Sequence, residues 1–307
     1  MGRPDGWIQR RPDRMLDVVP LYKNILKILN EYGYPYTIGG IKTAPRGHDI
    51  VLAHHTNEPR KNVWNIKKGY FPNLLNWDRT GYSGWAEMAD NGALFKKTQD
   101  VDIEDAVGGF YKFANDYISS NESKFPQAEG SFNVDGPYVF VACQRPRDTV
   151  AVWARIDTLK LAHEVAKSFR GTEYKVVIKR HPKEAQFDLS TLNKSDHVIL
   201  SDHSIHEIIP NSSAVFTVNS GVGLEACLHM KPVYTTGKSD YEWVTRKIST
   251  VQELKHVPST LQPLSEAEKE AIIKFVYYML TEHFVNALDI ESVRKKINMC
   301  VSEWRDK

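Results

Sequence analysis

Over residues 18–30 the apolar positions fall at Val18, Leu21, Ile25, Ile28 and Leu29. This three-and-four spacing turns one face of a helix toward a core. Gly33 and Pro35 end the pattern. The period then shortens. Residues 36–41 and 49–53 predict strands, the second carrying the unbroken Ile-Val-Leu-Ala run of a strand covered on both faces. Residues 63–67 predict another strand, leading into Gly69-Tyr70-Phe71-Pro72 and a turn-rich stretch from Asp78 to Gly84. A helix over 103–119 closes this half.

Residues 120–136 are polar, contain Pro126 and two glycines and show no apolar period, which predicts an inter-domain linker. Beyond it, strands at 138–143, 175–178, 197–200, 214–218 and 232–235 alternate with helices at 150–169, 204–209 and 221–230. That rhythm predicts a parallel sheet with helices on both faces. Ser265-Glu266-Ala267-Glu268 is a capping-box signature opening a helix to about residue 280, and a last helix is expected over 290–304. The expected organisation is an α/β domain over 1–134, a second over 135–264, and C-terminal helices over 265–307 that cross back to the first domain.

A length of 307 residues accommodates two medium domains, and 41% hydrophobic with 25% charged residues is ordinary for a globular protein. Forty basic and 38 acidic residues leave a formal charge of +2, so the whole molecule is not a polycation built to coat nucleic acid. Cys143, Cys227 and Cys300 are odd in number, far apart and set in apolar segments. They read as buried thiols of a reducing compartment, neither a disulfide frame nor a zinc site. No apolar run approaches the roughly 20 residues of a membrane span, and the N-terminus lacks a signal-peptide core. The cytoplasm is the expected location.

Four groups of residues carry chemistry. Ser220-Gly221-Val222-Gly223-Leu224-Glu225 opens a helix directly after a strand, so a serine cap and two glycines let an anion approach free amides. Glu225, one turn in, is placed to accept from ribose hydroxyls; the same run also suits a capped helix packed tightly on the sheet. Lys179-Arg180-His181-Pro182 ends another strand, and Pro182 biases His181 toward extended backbone, presenting its ring at the strand end. Gln144-Arg145-Pro146-Arg147-Asp148-Thr149 follows a third strand. Asp148, a carboxylate between arginines, can act as a nucleophile or stabilise an oxocarbenium-like centre, or can simply cap the next helix. Gly69-Tyr70-Phe71-Pro72 with Asp78 to Trp85 mixes aromatics, glycines and a carboxylate, as a sugar-stacking wall or a self-packed surface loop would.

Taken in order, these residues resemble the capsule polysaccharide synthesis family of bacterial β-Kdo glycosyltransferases, whose fold is GT-B-like. The resemblance rests on Gln144-x-x-x-Asp148-Thr149, Lys179-x-His181-Pro182, Asn219-Ser220-x-x-Gly223-x-Glu225-Ala226, Lys231-Pro232-Val233 with Gly237, and more loosely Gly69-Tyr70-x-Pro72 before Asp78 and Gly81. It spans residues 68–241. It implies two Rossmann-like domains facing a cleft, with the acceptor on the N-terminal side and the nucleotide-sugar donor, a CMP-sugar by resemblance, in the second domain. Lys179 and His181 would then hold the phosphate with Ser220 and the amides of Gly221 and Gly223. Glu225 would hold the ribose, and Gln144 would line the donor site. Asp148 matches the attacking carboxylate of retaining members, and Asp78 an acidic position, usually glutamate, near the acceptor. No metal ion is required in that scheme. After Gly237 the chain departs from the family pattern, since Lys238-Ser239-Asp240-Tyr241 lacks its glycine- and tryptophan-rich sequence.

The expected acceptor is a glycan hydroxyl. Arg3, Arg10, Arg11 and Arg14 around Trp7 support an alternative acceptor, a hydroxymethylated base in DNA flipped out of its stack. A non-catalytic nucleotide-binding module is a third reading. A dinucleotide oxidoreductase fails for want of an acidic strand end about 20 residues past Gly221-Val222-Gly223, because Asp240 belongs to a loop.

Overall fold

The computed structural model describes residues 5–9, 18–39, 47–128, 130–184, 189, 192 and 195–306. The Arg3, Arg10, Arg11 and Arg14 cluster lies outside the described residues, together with the side chain of Trp7. Two units result, Met1–Asn91 with Tyr278–Lys307, and Gly92–Tyr277.

In the first unit, strands β1 (Gly6–Gln9), β2 (Tyr36–Gly39), β3 (Ile50–His54), β4 (Val63–Lys68) and β5 (Leu74–Asp78) surround helix α1 (Val19–Tyr32). The last stretch of chain adds β12 (Phe284–Asn286) and α9 (Ile290–Arg305), numbered in chain order. The sheet order is β12-β5-β4-β3-β1-β2. The strands β1 to β4 are mutually parallel, and β5 runs antiparallel to both β4 and β12. α1 carries Pro20 in its first turn and is closed by Gly33, whose φ of 61° supplies the left-handed turn that lets its amide reach back to Asn30. Leu21, Ile25 and Ile28 of α1 share a core with Val293, Ile297 and Cys300 of α9 and with Trp64 and Trp77 of the sheet.

The second unit contains α2 (Gly92–Gln99), α3 (Ile103–Ser119), β6 (Tyr138–Ala142), α4 (Thr158–Ser168), β7 (Lys175–Lys179), β8 (Val198–Leu200), α5 (Ile205–Ile208), β9 (Val215–Thr217), α6 (Gly221–Leu228), β10 (Val233–Thr235), β11 (Arg246–Lys247), α7 (Val251–Thr260) and α8 (Glu266–Tyr278), the last ending at the unit boundary. All six described strands are parallel, in the order β11-β10-β9-β6-β7-β8. Counted from β6, this is the 3-2-1-4-5-6 order of nucleotide-binding sheets, with strand direction of travel reversing between β6 and β9. Every residue of β6 is buried, which matches its continuous apolar run.

Two expectations differ from this arrangement. The boundary expected at 134/135 falls inside the second unit, because residues 117–127 bond to α5 and α6 and do not hang between domains. The helix expected over 150–169 is two elements, a 3-10 turn at Thr149–Trp153 and then α4. Asp157 interrupts it, its carboxylate accepting from the amides of Leu159 and Lys160 as a fresh N-cap. Cys143, Cys227 and Cys300 are free thiols and buried, as read from their apolar settings.

Candidate functional site

In an open parallel sheet, ligands lie outside the carboxyl ends of the strands where the order reverses. In the second unit that point lies between Cys143-Gln144, after β6, and Val218-Asn219, after β9. Gln144 and Asn219 bridge it. The Gln144 amide nitrogen donates to Asn219 Oδ1 at 2.9 Å, and its Oε1 accepts from the Asn219 backbone amide at 3.1 Å. Asn219 Nδ2 in turn donates to the carbonyls of Val150 and Lys238. Gln144 was expected in the donor site; its buried side-chain amide joins the two strand ends, and the residue also lines a cavity beside the loop after β6.

Asp148 stands in the loop after β6. Its amide donates to the Arg145 carbonyl, and its Oδ1 accepts from the Val150 amide at 3.3 Å, so it caps the 3-10 turn. The same oxygen accepts from Thr149 Oγ1 at 3.3 Å; both bonds are long and leave the half-buried carboxylate capacity to spare. Arg145 Nε pairs with Glu184 at 2.9 Å, tying the loop after β6 to the loop after β7. Beside these residues lies a cavity of about 210 Å³ walled by Gln144, Arg145, Pro146, Ala151, Asp157 and Thr158 among others. Sites for drug-sized ligands run from about 300 Å³, so this one suits a single ring better than a whole nucleotide.

His181 follows β7. Its Nδ1 accepts from the Lys183 amide at 3.1 Å, so the proton of the neutral ring sits on Nε2. Burial holds its pKa below the ordinary 6.5, reinforced by Arg145 and Lys183 and opposed by Asp148 and Glu184. A neutral Nε2–H donor results at physiological pH. The edge of Phe125 meets the ring, with centroids 4.8 Å apart, and Lys183 Nζ sits 5.0 Å from the Phe125 ring centre.

Lys179 was expected to hold phosphate beside His181. The side chain is only 9% exposed, and its ammonium donates to the carbonyls of Asp202 and His203 in the loop after β8. Strand alternation would put Lys179 and His181 on one side, but β7 ends at Lys179 and His181 lies beyond it, outside that alternation. Burial lowers the pKa of this lysine, with Asp202 opposing.

At the start of α6, Ser220 accepts from the Val222 amide, and its carbonyl accepts from the Gly223 amide and from the Tyr241 hydroxyl. Gly223 serves packing: a Cβ there would lie 2.6 Å from the Tyr241 oxygen and 2.9 Å from its ring. Among the expected phosphate-binding group, Ser220 and Gly221 therefore remain at the helix opening, where the dipole and first amides favour an anion.

Glu225 was expected at the ribose. It is 2% exposed, and its Oε1 accepts from the Tyr117 hydroxyl and from Ser123 Oγ at 2.7 Å. Burial pushes its pKa up to about 7 against the lowering effect of those two bonds. It works as an anchor for residues 117–123.

In the first unit, Asp78 is likewise buried, its Oδ1 accepting from the amides of Thr80 and Gly81 at 2.7 and 2.9 Å and from Thr80 Oγ1 at 3.0 Å. The Glu87 amide reaches both oxygens. Burial raises its pKa while these donors lower it. The side chain organises the turn from Arg79 to Glu87, and Gly81 is required there because a Cβ would meet Trp85 Cβ at 2.7 Å. Its proposed base role near an acceptor has no counterpart in these contacts.

Phe125 and Tyr117 were not singled out from the sequence. The available signal was an aromatic, Phe125, inside a mostly polar stretch.

The second unit thus has the sheet and strand-end loops of a nucleotide-binding α/β domain. A family model described as capsule polysaccharide biosynthesis protein matches residues 104–277, more than half of the chain and all within that unit. The chain belongs to this family. It is 27% identical over 242 residues to protein FixF of Sinorhizobium fredii (strain NBRC 101917 / NGR234), covering 77% of this chain and 56% of FixF. The chain therefore spans little more than half the length of that curated relative. Among solved structures it is similar to the KpsC β-Kdo 2,7 transferase of Thermosulfurimonas dismutans, with TM-score 0.57 and 16% identity over 96% of this chain and 99% of that one. The KpsC β-Kdo 2,4 transferase of the same organism gives TM-score 0.50 and 14% identity over 88% of this chain and 98% of that one. These likenesses establish the fold, α/β of GT-B type with two Rossmann-like units and helices at the C-terminus. No helix among the described residues is long and apolar enough to cross a membrane.

Proposed function

We propose that this chain is a glycosyltransferase that moves a sugar from a nucleotide-sugar donor to a hydroxyl of a glycan. The observation that carries this reading is the order reversal at β6 and β9 in a unit matched by the capsule family, with Asp148, Arg145, His181 and the opening amides of α6 on the surrounding strand ends.

The leaving phosphate lies against the α6 amides and Ser220, with His181 Nε2–H and Arg145 as further donors. Asp148 gives up its weak capping bond and faces the anomeric carbon. As the bond to the phosphate breaks, the electron pair leaves with phosphate oxygen and the carboxylate stabilises or captures the cationic centre. An acceptor hydroxyl then attacks the anomeric carbon, breaking the bond to the carboxylate where one has formed, and its proton passes to the departed phosphate oxygen. Gln144 and Asn219 contribute by fixing the two strand ends relative to each other. The scheme routes no step through a metal ion. CMP-sugars are the first donors to test, on the strength of the motif resemblance.

A thermal-shift screen against CMP, UDP, GDP and dTDP tests binding, since ligand at 100 times Kd adds roughly 2.7 kcal/mol of stability. With the responding donor, Asp148→Asn is expected to lower transfer by about a thousandfold while nucleotide binding persists. Absence of a shift with every nucleotide sinks the reading; transfer by Asp148→Asn at the wild-type rate sinks the role of the carboxylate.

A further inference from the structure

The first part of the polar segment read as a linker is bound to α5 and α6 of the second unit. Tyr117 and Ser123 donate to Glu225 of α6. Asn121, with a left-handed φ of 50°, accepts from Ser204 Oγ at 2.6 Å. The Glu122 carbonyl accepts from His206 Nε2 at 2.7 Å, and Gln127 Oε1 accepts from the Ile205 amide at 3.0 Å. Five bonds on both sides of residue 125 hold this stretch, and between them Phe125 lies against His181. Anchors of this number are unnecessary for a tether, but they are what holding one ring in a fixed place requires.

We infer that residues 117–127 form a positioning strap, anchored by Glu225, that sets the His181 imidazole for the leaving phosphate through Phe125. Resting on the glycosyltransferase reading, this inference gives Glu225 a different task from the ribose contact the motif suggested. α6 then serves the phosphate twice, directly through its opening amides and indirectly through Glu225 one turn further on. Phe125 packs against the ring at a steep angle, and the Lys183 amide fixes the tautomer through Nδ1. The charged groups that face His181 are Arg145 and Asp148 from the loop after β6, and Lys183 and Glu184 from its own loop. Removing Phe125 readmits water, so the ring titrates at higher pH and loses its single orientation.

Nitrogen-15 NMR of the full chain labelled at histidine reads this directly, with the His181 signals assigned by their loss in His181→Gln. Expected in the wild type are Nε2–H ring signals that respond to CMP, UDP or GDP. In Phe125→Ala the midpoint should move up by about half a pH unit or more and the tautomers should mix. Phe125→Tyr should restore the wild-type spectrum, and Glu225→Ala should resemble Phe125→Ala, whereas Glu225→Gln retains the anchor. A folded Phe125→Ala protein whose His181 midpoint and tautomer match the wild type overturns the strap. Strap effects that appear as expected while no nucleotide perturbs His181 in the wild type overturn the phosphate role instead, which separates the two failures.

Discussion

Gln144 and Asn219 exchange two hydrogen bonds, at 2.9 and 3.1 Å, across the carboxyl ends of β6 and β9, 75 residues apart in the chain. This pair sits where the strand order reverses and joins the two strand ends there.

Gln144→Ala removes both bonds and leaves two buried polar groups of Asn219 without those partners. Each such group costs about 1–3 kcal/mol, so a loss of about 2–6 kcal/mol is expected in urea denaturation. A variant as stable as the wild type would mean that the pair contributes nothing to joining the strand ends.

Lys179→Met separates a structural lysine from a phosphate ligand. The carbonyls of Asp202 and His203 lose their donor, so stability should fall by about 1–2 kcal/mol while nucleotide affinity changes less than about threefold. His181→Ala should show the reverse. Isothermal titration alongside denaturation checks both, and a Lys179→Met protein of normal stability that no longer binds nucleotide would restore the phosphate role.

Glu225 gives the fold a pH dependence of definite sign. Its folded pKa of about 7 lies above its ordinary 4.5, so below 4.5 both states are protonated and the group costs nothing. Between about 4.5 and 7 the folded state holds a proton that the unfolded state has released, and stability falls as pH rises. Above 7 the loss is complete, of the order of 3 kcal/mol. Glu225→Gln keeps an acceptor for Tyr117 and Ser123 without this loss. It should therefore gain on the wild type as pH rises from 5 to 8, measured by denaturation at each pH. Parallel profiles would show that the buried carboxyl does not titrate in this range.

Local pattern alone was enough for much of the fold. The helix read over 103–119 is α3 to the residue, with Asp102 accepting from the Glu104 and Asp105 amides as its cap. The capping box at Ser265 is present with both reciprocal bonds, Ser265 amide to Glu268 and Glu268 amide to Ser265 Oγ. β6, β7, β9 and β10 fall within a residue or two of the apolar runs that predicted them. Strands β1, β5 and β12 were not legible. Each is short, and β12 is a strand only because Phe284, Val285 and Asn286 pair with Asn76, Leu75 and Leu74, some 210 residues away.

The chain's own periodicity and caps thus determined most of its helices and central strands, the parallel second sheet and the burial of the three thiols, and its motifs carried the resemblance to the family. Those properties depend on neighbours within a turn or a strand, where side-chain spacing already encodes burial. The tasks of the polar residues were decided in three dimensions. Lys179 meets two carbonyls of another loop, Glu225 meets Tyr117, and Phe125 of an apparent linker meets His181. A buried polar group must find its partner wherever the fold brings one, and the spacing of residues along the chain carries no record of what lies across that distance.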